Sequence, residues 1–482
     1  MRGPRRILAA ALAAGGLLAA SAAAWAEPAA AHGLVGRADL PVPESYFAWA
    51  VRIVLVLSFI ALAVLWKHPL LERDSWRPVA RGLGRVLTSR PVEIACGAIG
   101  VFLLGVVVFA GLEGTATPTG NFAPTFVYVV FYVGLVAVSA LIGDVFRAFN
   151  PWRAAARGVA WIATKAAGEA FEAPRAYPEW LGRWPAAAGL VAFGWMELAA
   201  ANGDVPQSIA IATIIYSGLT WAAMAIYGVE PWATRGEAFS VYFNLFSRIS
   251  PFERRDREIG VRIPLSGLAK LEQLPGTVAV LAVMIGTVSF DGLAEAPLWA
   301  DITPHLTDFF GSLGFSPERS VEGSFGLGLI VMIVLVYCFY RLAALGMRWL
   351  AGSADAGRLE RVFVHSLVPI ALAYVAAHYL TLLLYQGQSI FFLISDPLGD
   401  GADLFGTAGR SIDYGVIGAN ATWYWQVGFV LVGHVAALAL AHDRAVTIYG
   451  DSKLATRSQY WMLAVMIGFT TLALLLLSTA NA

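Results

Sequence analysis

The chain has little charge. Asp, Glu, Lys and Arg make up 14% of its 482 residues, against 58% apolar residues. A soluble domain carries about 25% charged residues, so a soluble class is excluded. The 33 basic residues are matched by 33 acidic ones, which leaves no basic excess for a nucleic-acid partner. Cysteine is nearly absent. Cys96 and Cys338 both fall inside apolar runs and read as buried small hydrophobes, not a disulfide. Cys-based zinc motifs are missing. So are a Gly-rich phosphate loop, a Gly-x-Ser-x-Gly elbow, a His-Glu-x-x-His helix and a Cys-x-x-Cys-His attachment. These absences argue against an ATP-driven pump and a c-type cytochrome.

What is present is apolar length. The expected fold class is all-α, a polytopic transmembrane helical bundle of about ten spans after a cleaved signal peptide. Residues 1–31 open with Arg2, Arg5 and Arg6, continue as an Ala/Leu/Gly run and end in small residues, the pattern of a secretory signal. Cleavage fits after Ala26 or Ala31. After Ala31, His32 becomes the N-terminal residue, whose amine and imidazole together form a copper chelate. A histidine in an exposed tail is the plainer reading. The mature chain, 32–482, reads as one domain.

Apolar segments lie near 47–66, 93–112, 123–145, 186–201, 207–227, 276–291, 325–347, 362–386, 421–441 and 459–480. A span needs about 20 residues, so the fourth and sixth are short. The loops at 67–92, 146–185 and 228–275 are rich in Lys and Arg. The loops at 112–121, 292–324 and 387–420 hold almost none. This alternation puts the basic loops in the cytoplasm, loops 292–324 and 387–420 outside, and both mature termini outside a bacterial cytoplasmic membrane. The run FERRDRE (252–258) then reads as a topology signal. Asn150-Pro151-Trp152 and Glu230-Pro231-Trp232 make two similar cytoplasmic turns, a faint trace of duplication or shared interfacial chemistry.

Ionisable groups inside spans are functional candidates by default. Asp144, His365 and His442, with Asp443 and Arg444, fall at cytoplasmic span ends and read as headgroup or solvent contacts. Glu197, Asp291, His378 and His434 lie deeper or toward the outside. His365 and His378 stand about 140° apart around one helix axis, which argues against a stacked-haem pair. A single site joining His378 to His434 remains open, beside plain interhelical hydrogen bonding. Outside, Asp396, Asp400 and Asp403 in SDPLGDGADLFG lack the EF-hand spacing and read as a solvated turn. LWADITPHLTDFFGSLGF, with His305, reads as a helix lying at the interface.

Four stretches carry a resemblance: AHGLVGRADLPVP (31–43), SLVPIALAYVAAHYLTLLLYQGQ (366–388), SDPLGDGADLFGT (395–407) and GHVAALALAHDRA (433–445). They resemble the bacterial membrane proteins, frequent in actinobacteria, that carry the name fenitrothion hydrolase. The resemblance runs over nearly the whole mature chain. It implies hydrolysis of an organophosphorus triester, an apolar small-molecule substrate able to arrive through the lipid bilayer. Such attack is easiest from a metal-bound hydroxide, yet the chain has seven histidines and no His-x-His. A hydrolytic site would use Asp291 or Glu197 as base or ligand and His378 as ligand, with zinc or copper as the divalent metal. A different reading is copper handling or transport, with His378, His434 and His32 as ligands. A third is a non-catalytic subunit contacting a partner subunit.

Overall fold

The computed structural model describes residues 44–79, 81–168, 173–351 and 356–480. His32 and the expected signal peptide lie outside the described residues. Each of the ten expected segments is helical. The apolar helices are α1 (Glu44–Leu65), α2 (Arg90–Glu113), α3 (Phe122–Ile142), α5 (Trp184–Leu198), α6 (Pro206–Tyr227), α8 (Thr277–Ala294), α10 (Pro317–Ala351), α11 (Gly357–His378), α13 (Ala419–Tyr449) and α14 (Tyr460–Ala480). Between them come α4 (Pro151–Ala167), α7 (Ala238–Ser247), α9 (Pro297–Ser312) and α12 (Leu380–Tyr385). Seven of the described helices are long and apolar enough to cross a membrane. The chain is thus an all-α, multi-pass membrane protein.

The short sixth segment explains itself by position. Of the 18 residues of α8, 13 are buried. A helix that is apolar all round belongs in the interior. It packs against α5, α10 and α11. Its C-terminal end carries Asp291 into the bundle. By contrast α2, α3 and α6 leave most of their apolar surface uncovered, as lipid-facing helices do.

Two helices depart from regularity. Residues Thr125–Gly134 of α3, TFVYVVFYVG, form a π-helix. Such wide turns are rare and gather at functional sites. The eighth segment, expected as one span over 362–386, is interrupted. Its helix stops at His378, Tyr379 takes φ −93° and ψ 13°, and the chain resumes as α12. The cause is a shared target for two neighbouring side chains. Successive residues on a regular helix point about 100° apart. The break lets His378 and Tyr379 reach the same carboxylate.

The loops sort into two sets, each bonded within itself. One end holds segment 66–76, the Pro-Trp turns and residues 248–272. There FERRDRE forms a β-hairpin, β2 (Phe252–Arg255) and β3 (Glu258–Val261), with β1 (Arg77–Pro78) beside β3. Arg255 and Lys270 bond Asp74 and hold its carboxyl well below the usual carboxylate range. The two Pro-Trp turns meet: Arg153 bonds Glu230, and Asn150 bonds Glu237. At the other end, Thr115 and Phe122 bond the backbone at Leu398 and Pro397, and Ala201 bonds Glu322. Here α9 lies on α10, with Trp299 buried against Phe290 and Phe325.

Three expectations at the first end need correction. His365 and His442 are buried, 2% and 0% exposed, not in contact with headgroups or solvent. Asp443 is buried too. Its carboxylate accepts from the Trp66 indole and from the backbone N–H groups of Leu70, Leu71 and Glu72. His442 lies against the Trp66 carbonyl and Gln459. The reason is that segment 66–72 folds back over the end of α13 and covers it. Asp144 stays at the surface and bonds Asn244. Cys96 and Cys338 are free thiols, as expected, but neither is buried.

Candidate functional site: a buried acid–base cluster

The polar residues of the central helices converge near the end that carries loops 114–121 and 394–418. Asp291 comes from the last turn of α8. His378 ends α11, and Tyr379 occupies the break. His378 Nε2 lies 2.9 Å from Asp291 Oδ2. The Tyr379 hydroxyl donates to the same oxygen at 2.8 Å. The side chains of Asp291 and His378 are each 19% exposed, so the pair is enclosed but reachable. Helix α5 brings Glu197 close enough to interact electrostatically with Asp291, while its own Oε2 is buried without a partner among the described residues.

Aromatic rings surround the cluster on one side. Tyr132, on the π-helical stretch, meets Tyr379 edge-on at 6.4 Å and stacks on Tyr242 of α7 at 5.2 Å. Tyr128, one turn earlier, donates to the Gly203 carbonyl at 2.6 Å. The widened turn thus presents phenol rings to the cluster while its backbone remains hydrogen-bonded.

The geometry defines a chemistry. A carboxylate bonded to one imidazole nitrogen fixes the ring's orientation and tautomer. His378 Nδ1 makes no hydrogen bond among the described residues and lies beside Gly292, where an added Cβ would be 3.8 Å away. That nitrogen is placed to take or give a proton, or to ligate. The structure therefore brings Asp291, Glu197 and His378 together.

It does not bring His434 to them. His434 sits in α13 at the level of Ser366, Leu367 and Ile370, deeper than His378 along α11. Its Nδ1 bonds the Val430 carbonyl of its own helix at 2.7 Å. Close packing of Gly433 on Pro369 and Ala373 sets the register of α13 on α11, and no hydrogen bond or ring contact joins His434 to His378 among the described residues. Among the described residues, no three His, Cys, Asp or Glu side chains gather as a metal cluster. In loop 395–406, Asp396 and Asp400 accept from nearby backbone N–H groups, and Asp403 accepts from Ala408. That is the solvated turn expected.

Sequence reasoning missed Tyr379, Tyr132 and Glu237. Tyr379 was hidden because a regular helix would turn it away from His378's partner. Glu237 is 1% exposed and accepts from Asn150, Tyr216, Ser240 and Phe239. Its position between Gly236 and an apolar run was the available signal. Compared with family models, curated proteins and solved structures, the chain matches none.

Proposed function

We propose that this is a ten-span protein of a bacterial cytoplasmic membrane, with both mature termini outside, and that it hydrolyses apolar organophosphorus triesters at the Asp291–His378 pair. The 2.9 Å contact between His378 Nε2 and Asp291 Oδ2 carries the reading. The resemblance to the fenitrothion hydrolase proteins supplies the substrate class. The grouping of basic loops at one end of the bundle supports the orientation. In the reaction, His378 Nδ1 accepts a proton from water as its oxygen attacks phosphorus. The phosphorus–aryloxy bond breaks, and the nitrophenolate leaves. Asp291 stabilises the imidazolium, and Glu197 holds or releases a proton beside it.

The test is nitrophenolate release by purified protein in lipid nanodiscs, with metal content measured on the same samples. His378→Ala should lower the rate by about 10²–10⁴-fold, the usual worth of a general base. Unchanged hydrolysis in His378→Ala would overturn the reading. Full activity in zinc- and copper-free protein would show that the pair acts without a metal. The interrupted helix beside buried carboxyls favours a second reading, metal or proton-coupled transport. On that reading, His378→Ala and His434→Ala change metal accumulation and leave triester hydrolysis untouched.

A further inference from the structure

His434 has a setting of its own. It borders a cavity of about 70 Å³ enclosed by α8, α10, α11, α13 and α14. A water needs about 10–15 Å³ measured in this way, so the space admits several waters or part of an organic ring. The wall is apolar and soft: Phe339, Phe469, Met462, Met466, Val336 and Ile370. Phe339, Met462, Met466 and Phe469 are only half-buried, which places the mouth between α10 and α14. Two lining residues carry hydroxyls that are already used. Ser366 donates to the Phe363 carbonyl, and Tyr340 donates to the Glu360 carbonyl.

Of the lining side chains one polar atom is left over; the Tyr374 hydroxyl, on a ring 6.4 Å from His434 that does not line the cavity, is also buried without a partner among the described residues. His434 is 0% exposed, and its Nε2 has no partner among the described residues. Its Nδ1 faces a carbonyl, which accepts and cannot donate, so Nδ1 carries the proton. Nε2 is then an acceptor that lacks a donor. A buried polar atom without a partner costs about 1–3 kcal/mol. A donor on an otherwise apolar molecule would satisfy it. Thioethers and phenyl rings around it favour an aromatic one.

We propose that this cavity binds a lipid-soluble phenol, whose ring packs against Phe339, Phe469 and the two methionines and whose hydroxyl donates to His434 Nε2. The molecule enters from the bilayer between α10 and α14. The site is separate from the Asp291–His378 cluster and does not depend on its chemistry.

Fluorine NMR of full-length protein in nanodiscs tests this, with para-fluorophenol and its methyl ether para-fluoroanisole as probes. Empty nanodiscs give the partition background. The phenol should bind saturably and about tenfold more tightly than the ether, which has no donor. His434→Leu should erase that preference. Ala437→Phe, which fills the cavity from α13, should abolish binding of both probes. Equal affinity for phenol and ether in the wild type would overturn the proposal. So would the absence of saturable binding, which would leave the cavity to water. The wild-type comparison decides even where a variant does not fold.

Discussion

Single residues in this protein act through what they leave satisfied. Asp443 gathers four donors from a segment more than 370 positions away. Removing the carboxylate strands an indole and three backbone N–H groups in a covered site. Asp443→Ala should therefore destabilise the protein by about 3 kcal/mol or more, with Asp443→Asn intermediate because one acceptor oxygen survives. Thermal unfolding in detergent measures it, and equal midpoints for wild type and Asp443→Ala would contradict the account. Asp443 was visible in the sequence as a charge at a span end. Its burial was not, because the donors that cover it come from the other end of the chain. Asp291 and His378 were legible as costly groups within apolar runs. Their bond was not, since 87 positions separate them.

At the scale of elements, close approach and irregular turns position the cluster. Helices α11 and α13 pack extensively against each other. Their contact runs through Gly433, where an added Cβ would lie 2.4 Å from Ala373 Cβ and 2.7 Å from the Pro369 carbonyl oxygen. Small residues let membrane helices approach this way. Gly433→Ala should push the helices apart, at a cost of about 1–3 kcal/mol, and lower the unfolding midpoint in detergent. A midpoint equal to wild type would show that α13 can shift freely. Helix positions were readable from apolar length. The stop at Tyr379 was not, because no Gly or Pro marks it. Tertiary hydrogen bonding at Asp291 produces it.

At the scale of the whole molecule, the two ends differ in charge, and the proposed orientation rests on that difference. On the proposed topology, loop 394–418 faces outside and hairpin 252–261 faces the cytoplasm. Leu404→Cys, at an exposed loop position, should be labelled by a membrane-impermeant thiol reagent in intact cells, and Arg257→Cys only after lysis. The opposite pattern would invert the topology, and with it the side from which the cluster is reached.

Composition, apolar length and the spacing of Lys and Arg determined the class of this protein, the place of its helices and the residues that burial makes expensive. These are properties of short stretches of chain, and short stretches carry them. The tertiary structure alone decided which expensive residues meet. It joined Asp291, His378 and Tyr379, set Glu197 near them, left His434 Nε2 without a partner beside an apolar cavity, and covered Asp443 with a distant loop. Such partnerships depend on helix register and on where a helix breaks, and both are set by contacts between segments far apart in sequence.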